Sequence, residues 1–356
     1  MRGYLPVVVI LILCVSTSFS QEYSWEKLET EPYRGKQDDI SFINQEEGWY
    51  VNGFGKIFHT SGGGKTWELQ LEKQGSFFRA IQFIDENIGF VGTVGTDYFP
   101  NVTDTIPLYG TIDGGKTWSP VEYTGPYVKG LCAFDYVKEQ YINHGAIDYR
   151  HHLFAVGRVG SPANIMISHD AGKTWTSRSL NEECKMLFDI KMLDKNIGFV
   201  CAASSEDISK SNAMILKTAD GGKTWKMVYQ SDRPFETTWK ASFPSDRVGY
   251  VTIQSYSPNP EVKQQRVAKT IDGGETWEEI DLVEDAQARE FGIGFIDEMN
   301  GYVGTYTGGF ETNDGGHTWT SIDLGMACNK IRIYRTENDE IYGYAIGVDV
   351  LKLKTP

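Results

Sequence analysis

Short apolar segments flanked by glycine recur along the chain. Each combines an aromatic residue with β-branched or small residues, a composition that favours strands, while the glycines favour tight turns. Seven copies align: EEGWYVNG (46–53), NIGFVGTVG (87–95), HLFAVGRVG (152–160), NIGFVCAA (196–203), RVGYVTIQ (247–254), MNGYVGTYTGG (299–309) and IYGYAIGVD (341–349). The pattern predicts one such strand in each unit of a repetitive all-β fold.

A second motif, which we call the box, follows each of the first six copies. The boxes are TSGGGKTW (60–67), TIDGGKTW (111–118), SHDAGKTW (168–175), TADGGKTW (218–225), TIDGGETW (270–277) and TNDGGHTW (312–319). Their tryptophans recur at intervals of 42 to 57 residues. Periods of this length are typical of propellers and solenoids.

The two motifs differ in number, and the difference predicts how the fold closes. The seventh apolar segment lacks a box after it, but YSWEKLET (23–30) resembles the strand that begins at a box tryptophan, as in TWELQLEK (66–73). The N-terminus therefore supplies the missing strand, with Trp25 as its tryptophan. We predict a seven-bladed β-propeller of four-stranded blades over residues 22–356, in one domain, with the last blade closed in a 3+1 arrangement that hides the sheet edges. Six blades is the alternative.

The box residues have structural functions. The paired glycines allow the positive φ angles of a tight turn, and the aspartate can accept hydrogen bonds from amides of its own turn. The tryptophan gives a large apolar contact and can satisfy its N–H locally. In the first copy Gly62 replaces the aspartate, which favours a structural role over a catalytic one. The residues concerned are Asp113, Asp170, Asp220, Asp272 and Asp314, with Trp25, Trp67, Trp118, Trp175, Trp225, Trp277 and Trp319.

These boxes resemble the Asp-box, or BNR repeat, of sialidases, other secreted glycosidases and sorting receptors. The fuller unit, a glycine-flanked aromatic strand followed by the box, resembles the photosystem II assembly and stability factor family over residues 23–354. That resemblance implies a seven-bladed propeller that binds partner proteins and has no known catalytic residues. The chain lacks the Arg-Ile-Pro motif of sialidases; the arginine that opens the second unit lies in FFRAIQF (77–83).

The first 21 residues have the features of a cleaved signal peptide. Arg2 gives a positive start, LPVVVILILCV (5–15) is an apolar core, and STSFS (16–20) is rich in small residues. The apolar run is shorter than the ~20 residues of a membrane span, which favours cleavage over the alternative of a membrane anchor. We expect an exported monomer, periplasmic or extracellular, without a membrane span.

Charge and cysteine content narrow the function further. The net charge of −14 argues against nucleic acid as a partner. Cys132, Cys184, Cys201 and Cys328 follow the signal without regular spacing. Two disulfides are possible in number, but we expect mostly buried free thiols.

The predicted strand order, A to D in each blade, places the B–C and D–A connections on the face opposite the boxes. Three B–C loops are long (96–109, 204–212 and 255–266), and long loops on a rigid frame often carry function. Their candidate aromatic anchors are Tyr98, Phe99 and Tyr256. A basic residue occurs in each D–A segment: Arg34, Arg79, Lys129, Lys185, Arg233, Arg289 and Lys330. Of these we take Arg79, Lys129, Arg233 and Arg289 as binding candidates for an acidic partner or glycan.

An insertion at 135–152 lies between strands A and B and contains His144, Asp148, His151 and His152. These are possible metal ligands, but without a fixed spacing we favour a solvated loop, no metal and no cofactor.

No nucleophile elbow, P-loop or HExxH motif occurs. The sequence thus predicts a non-enzymatic scaffold that binds or assembles proteins, without assigned catalytic residues. The alternative is a glycan-binding or glycoside-hydrolysing, sialidase-like propeller.

Overall fold

A computed structural model describes residues 23–32 and 34–355, so the predicted signal peptide lies outside the described residues. The described chain folds into seven four-stranded antiparallel sheets, the blades. Blades 1 to 3 contain β2 (Gln37–Phe42), β3 (Gly48–Asn52), β4 (Lys56–Thr60) and β5 (Glu68–Glu72); β6 (Phe78–Phe83), β7 (Gly89–Thr93), β8 (Leu108–Thr111) and β9 (Ser119–Pro120); and β10 (Ala133–Asn143), β11 (Ala146–Gly157), β12 (Asn164–Ser168) and β13 (Thr176–Ser179).

The remaining blades follow the same A-B-C-D order. Blades 4 to 6 contain β14 (Met186–Met192), β15 (Gly198–Ala203), β16 (Ala213–Thr218) and β17 (Lys226–Gln230); β18 (Glu236–Ser242), β19 (Gly249–Ser255), β20 (Gln264–Thr270) and β21 (Glu278–Glu284); and β22 (Glu290–Phe295), β23 (Gly301–Thr305), β24 (Gly309–Thr312) and β25 (Thr320–Ile322). The short 3₁₀ helix η1 (Ile208–Lys210) lies in the B–C loop of blade 4.

The seventh blade confirms the predicted 3+1 closure. It consists of β26 (Lys330–Arg335), β27 (Ile341–Ile346), β28 (Val350–Lys354) and the N-terminal strand β1 (Ser24–Leu28). The strand β1 pairs antiparallel with β28, with Trp25 opposite Leu353. The Trp25 ring packs edge-on against Tyr302 of blade 6 at 5.2 Å, much as Trp175 of blade 3 meets Phe90 of blade 2 at 5.3 Å.

The hydrophobic core is divided among the seven interfaces between neighbouring blades, each of which holds one apolar cluster. At three interfaces an aromatic side chain on strand B of one blade stacks on an aromatic side chain on strand A of the next: Trp49 on Phe83 at 3.5 Å, Tyr250 on Phe295 at 3.6 Å and Tyr344 on Phe42 at 3.8 Å. The recurrent aromatic–glycine segments therefore join the blades to one another.

The turn of the second box, TIDGGKTW (111–118), shows the predicted hydrogen bonds and positive φ angles. The Asp113 carboxylate accepts the Thr117 N–H at 2.9 Å and the Thr117 hydroxyl at 2.6 Å, while Gly114 and Gly115 have φ of 75° and 87°. Only two of the seven box-type tryptophans have a local acceptor for the indole N–H. Trp118 and Trp175 donate to glycine carbonyls, whereas within the described chain the other five box-type indoles have no partner: Trp25, Trp67, Trp225, Trp277 and Trp319.

Neutralising a box aspartate should lower stability in a pH-dependent way. Hydrogen bonds from Thr117 lower the pKa of Asp113 to about 2, below the unfolded value of ~3.9. Its stabilisation is therefore complete above about pH 4 and is lost as the pH falls toward 2. We expect Asp113→Asn to melt below wild type at pH 7 and the gap to narrow between pH 4 and 2. Thermal melts across this range test it, with exposed Asp246→Asn as control; a gap independent of pH would contradict it.

The four cysteines Cys132, Cys184, Cys201 and Cys328 are buried and free, as the sequence analysis expected. Burial raises the pKa of the Cys184 and Cys328 thiols to about 12, so they remain protonated at neutral pH. No helix in the described part of the chain has both the length and the apolar character of a membrane span.

Candidate functional site

A pocket of about 230 Å³ opens at the end of the central channel, on the face opposite the boxes. Its lining includes Arg79 and the B–C loop residues Tyr98 and Phe99 of blade 2, together with Tyr256 of blade 5 and Arg289 before blade 6. Because blades 2 and 5 stand on opposite sides of a seven-membered ring, a pocket lined by both lies across the channel mouth. Five of the seven predicted binding residues therefore meet at one place, which we call the loop-face mouth.

Aromatic side chains form the rim of this mouth. Phe99 stacks on Phe77 at 4.6 Å, and Tyr98 meets Phe99 edge-on at 4.9 Å. Tyr98 and Phe99 remain 49% and 38% exposed. Aromatic rings that are fixed by neighbours yet reach solvent are frequent anchors in binding surfaces, since they lose little conformational entropy on binding.

Three cations stand over aromatic rings around the same mouth. Arg289 lies 5.4 Å from the centre of the Tyr256 ring, Arg79 lies 5.8 Å from Trp239, and Lys36 lies 5.9 Å from Phe291. Among the described residues that line the pocket, none carries a carboxylate. The mouth is thus an apolar, cationic recess in a protein of net charge −14, which suits a ligand with negative charge and apolar groups.

The floor of the mouth is held by buried polar contacts. Arg79 is buried and forms an ion pair with Asp38 of blade 1. The Lys36 ammonium donates to the Asn329 side chain at 2.7 Å and lies 3.6 Å from Asp38. Burial, together with nearby Arg79, lowers the pKa of Lys36 to about 7, against the attraction of Asp38. The charge of Lys36 therefore responds to pH near neutrality.

The remaining basic residues of the D–A segments lie in other surroundings. Lys129 forms an ion pair with Asp97, and Arg233 binds Glu236 at 2.7 Å and Glu279 at 2.9 Å. Three further members are each placed differently: Arg34 is exposed, Lys185 donates to the Asn181 carbonyl, and Lys330 is buried on Asp39. The seven cations thus do not form one continuous basic ring.

Seven lining residues were not predicted from the sequence: Lys36, Phe77, Val94, Val159, Trp239, Gln254 and Phe291. Lys36, Phe77 and Phe291 lie in or just before innermost strands, each two residues from a basic residue of a D–A segment, and Trp239 lies within β18. The register between strands A and B shifts around Arg79, Trp239 and Phe291, which indicates β-bulges. A bulge changes the direction of a side chain. The aromatic residues in FFRAIQF and TTWKASF were the available signal.

The opposite end of the channel, on the face of the A–B turns and the boxes, holds a cavity of about 540 Å³. The insertion at 135–152 extends beside it and is not the loop expected from the sequence: its residues pair regularly in the hairpin β10–β11. Its histidines are separately engaged: His151 contacts the Tyr136 hydroxyl, and His152 contacts His169 at 2.8 Å and Glu139 at 3.0 Å. In the described ranges, no group of three or more potential ligands is arranged to hold a metal ion.

The repeated boxes, seven blades and 3+1 closure define the class of this protein: a seven-bladed Asp-box β-propeller. Its neighbours include YCF48, the photosystem II assembly factor. YCF48 bound to D1 peptide has a TM-score of 0.63 at 17% identity, covering 94% of this chain and 97% of that one. YCF48 from Cyanidioschyzon merolae has a TM-score of 0.64 at 15% identity, with coverages of 92% and 98%. The resemblance to assembly-factor propellers is confirmed at the level of the fold.

Enzymes share this fold. The GH74 xyloglucanase from Xanthomonas campestris has a TM-score of 0.61 at 12% identity, covering 93% of this chain and 53% of that chain. An uncharacterized protein of Saccharomyces cerevisiae is 21% identical over 252 residues, which is 61% of this chain and 77% of that protein. No family model matches. At these identities the likeness establishes the fold, and function has to be argued from the site.

Proposed function

We propose that this protein is an exported, non-enzymatic propeller that binds a segment of a partner protein at the loop-face mouth. The observation that carries the proposal is the pocket in which Arg79, Tyr98, Phe99, Tyr256 and Arg289 converge from separate blades. Tyrosine and arginine are among the residues that dominate binding energy at protein interfaces. Tyr98, Phe99, Tyr256 and Arg289 lie on loops of a rigid ring, which is the usual arrangement of a binding surface, and Arg79 lies beside them in β6.

The charge of the mouth indicates the kind of segment. Arg289 and, in part, Lys36 contribute positive charge, whereas the charge of Arg79 is paired with Asp38; the rings between them offer apolar contact. We therefore propose an extended segment with at least one carboxylate and one large apolar side chain. The peptide-bound YCF48 structure gives a precedent for a propeller of this shape that takes a peptide.

A glycoside hydrolase is the alternative, and it requires more than the fold. Hydrolysis of a glycosidic bond uses two carboxyl groups separated by ~5–10 Å across the substrate. Among the described residues lining the loop-face mouth there is no carboxylate, so an acid pair would have to come from another surface. The mouth favours binding over hydrolysis for this reason.

Crosslinking in the native envelope and medium tests the proposal. We expect a C-terminally tagged chain to crosslink one abundant protein, and the double variant Tyr98→Ala/Phe99→Ala to lose it because two exposed anchors are removed. Mass spectrometry identifies the partner, and Ile112→Ser, an exposed apolar residue of a box, is the control. Recovery of no protein, together with binding or cleavage of a polysaccharide by the purified chain, would contradict the proposal.

A further inference from the structure

Blade 3 departs from the repeat at its A–B hairpin. Strands β10 and β11 have 11 and 12 residues, whereas the A and B strands of the other blades have 5 to 7. Pairing continues to Asn143 opposite Ala146, so the extension is a regular two-stranded arm. Because A–B connections lie on the face of the boxes, the arm projects from that face.

The two sides of the arm differ in polarity and in contacts. Alternate residues of a strand share a side, which places Ile142, Ile147 and Tyr149 together with Lys138 and Gln140 on what we call the arm face. Ile142 and Ile147 pair directly across the strands and are 68% and 59% exposed. Large apolar groups in such positions are typical of interaction surfaces.

The other side of the arm is already occupied and holds the arm in place. Glu139 forms an ion pair with Lys195 of blade 4 at 2.6 Å, and the Tyr141 hydroxyl donates to Asp148 at 2.8 Å. Arg150 lies 4.4 Å from the Tyr141 ring. The arm face is therefore presented by a supported element, which lowers the cost of ordering on binding.

The arm face continues into the cavity at the box-side channel mouth. Lys138, whose ammonium lies 4.1 Å from the Tyr149 ring, also lines that cavity. The same cavity is lined by Lys191, Arg332 and Arg335. Among its described lining residues Asp135 is the one carboxylate, and it is bound by Lys191 at 3.2 Å and by the Met192 N–H. Arg332 and Arg335 pair with Asp39 and Asp339 at 3.1 and 2.8 Å. Among the described lining cations, Lys138, beside the apolar arm, is therefore the one without an ion pair.

We propose that the arm face and the box-side mouth form a second binding surface, which takes an extended protein segment with large apolar side chains next to acidic ones. The apolar side chains contact Ile142, Ile147 and Tyr149, and the acidic ones face Lys138. Charge complementarity selects such a segment over a basic one. The proposal does not depend on the loop-face site, because the two surfaces lie at opposite ends of the channel.

Peptide selection tests this second surface. Random 12-residue peptides displayed on phage are selected on the whole mature chain, with prior depletion on the double variant Ile142→Ser/Ile147→Ser. Selected peptides should combine acidic with aromatic or branched apolar residues. In fluorescence anisotropy their affinity should fall at least tenfold for that variant and for Lys138→Glu. Ile112→Ser/Ile271→Ser, which removes two exposed isoleucines from boxes, and Tyr98→Ala at the loop face should bind as wild type does.

Three results would overturn the proposal. The first is that no peptide survives depletion; the second is that the selected peptides are basic or bind the arm variants unchanged. The third is self-association, in which sedimentation detects a dimer that Ile142→Ser/Ile147→Ser abolishes, because a second copy would then cover the arm. Circular dichroism melts of each variant test whether misfolding causes a loss of peptide binding. Ile142 and Ile147 are exposed, so replacing them should leave the melting temperature close to that of wild type.

Discussion

Replacing Tyr256 and Arg289 together with alanine is expected to weaken binding of the partner segment at the loop-face mouth by about 30-fold or more. The Arg289 guanidinium lies 5.4 Å from the Tyr256 ring, and both line the pocket. The change removes one side of the pocket and one of its cations at once. Isothermal titration with the partner identified by crosslinking measures the loss directly.

The double variant needs a control that alters an arginine elsewhere on the same blade. Arg247 is exposed in the A–B turn of blade 5, at the opposite end from Tyr256, and its guanidinium donates to the Ile271 carbonyl at 3.4 Å. Arg247→Ala should bind the partner as wild type does. Equal weakening by both variants would point to diffuse charge attraction, and an unchanged affinity in Tyr256→Ala/Arg289→Ala would remove the loop-face mouth as the binding site.

The fold could be predicted because its signals are local. A box of eight residues specifies its own turn, as the contacts of Asp113 with Thr117 show. Its tryptophan marks where the outer strand begins. Counting these units against the apolar segments was enough to give seven blades and to assign the N-terminal strand to the last one. Repetition makes such a count robust, since each blade is an independent instance of the same pattern.

The site could be predicted only in part, because it depends on contacts between distant segments. Tyr98 and Phe99 were recognisable as aromatic residues in a long loop, but their proximity to Tyr256 follows from the closed ring. Trp239 and Phe291 were missed because bulges in their strands change where they point. The basic residues of the D–A segments also have different surroundings, because their partners come from distant segments: Lys129 pairs with Asp97, and Arg233 pairs with Glu279.

The contrast between boxes and loops also explains how the ring can diverge in function while keeping its shape. Box residues satisfy one another within a single turn, so each blade retains its frame whatever its other loops contain. The loop-face mouth, by contrast, draws Tyr98, Phe99 and Tyr256 from the long B–C loops of blades 2 and 5, which differ in sequence from that of blade 4. In the same way the extended arm is confined to blade 3. Both candidate surfaces are thus departures from the repeat, placed on a frame that the repeat supplies.

Asp39→Asn should cause the largest loss of stability that we predict, because this carboxylate joins the first and last blades inside the channel. Asp39 is fully buried and lies 2.5 Å from Lys330 and 3.1 Å from Arg332. It also accepts the Ile81 N–H of blade 2 at 3.1 Å. Removing one partner of a buried ion pair leaves an uncompensated charge, which costs about 3–5 kcal/mol of the unfolding free energy.

The pH dependence of that loss identifies its cause. Burial lowers the pKa of Lys330 to about 7, while Asp39 raises it; without the carboxylate the pKa should fall further below the unfolded value of ~10.4. A lysine whose folded pKa is lowered destabilises the fold most at lower pH, and the penalty shrinks as the pH rises toward 10. The unfolded state is the same in both proteins, so the gap between them depends only on the two folded pKa values. Chemical denaturation should therefore show the gap between Asp39→Asn and wild type widening as the pH falls from about 8 to about 5 and nearly constant above about pH 8.

A matched control shows whether the loss of stability in Asp39→Asn is specific to the buried ion pair or follows from the loss of any ion pair between the N- and C-terminal segments. Asp349, just before β28, forms an ion pair with Lys27 of β1 at 2.8 Å, but the two side chains are 28% and 64% exposed. Because solvent screens such a pair, Asp349→Asn should unfold close to wild type at every pH. If Asp39→Asn unfolds like this surface variant, the ion pairs of Asp39 with Lys330 and Arg332 do not stabilise the closure of the ring. The β1–β28 pairing and the apolar cluster between blades 7 and 1 would then hold the ring closed.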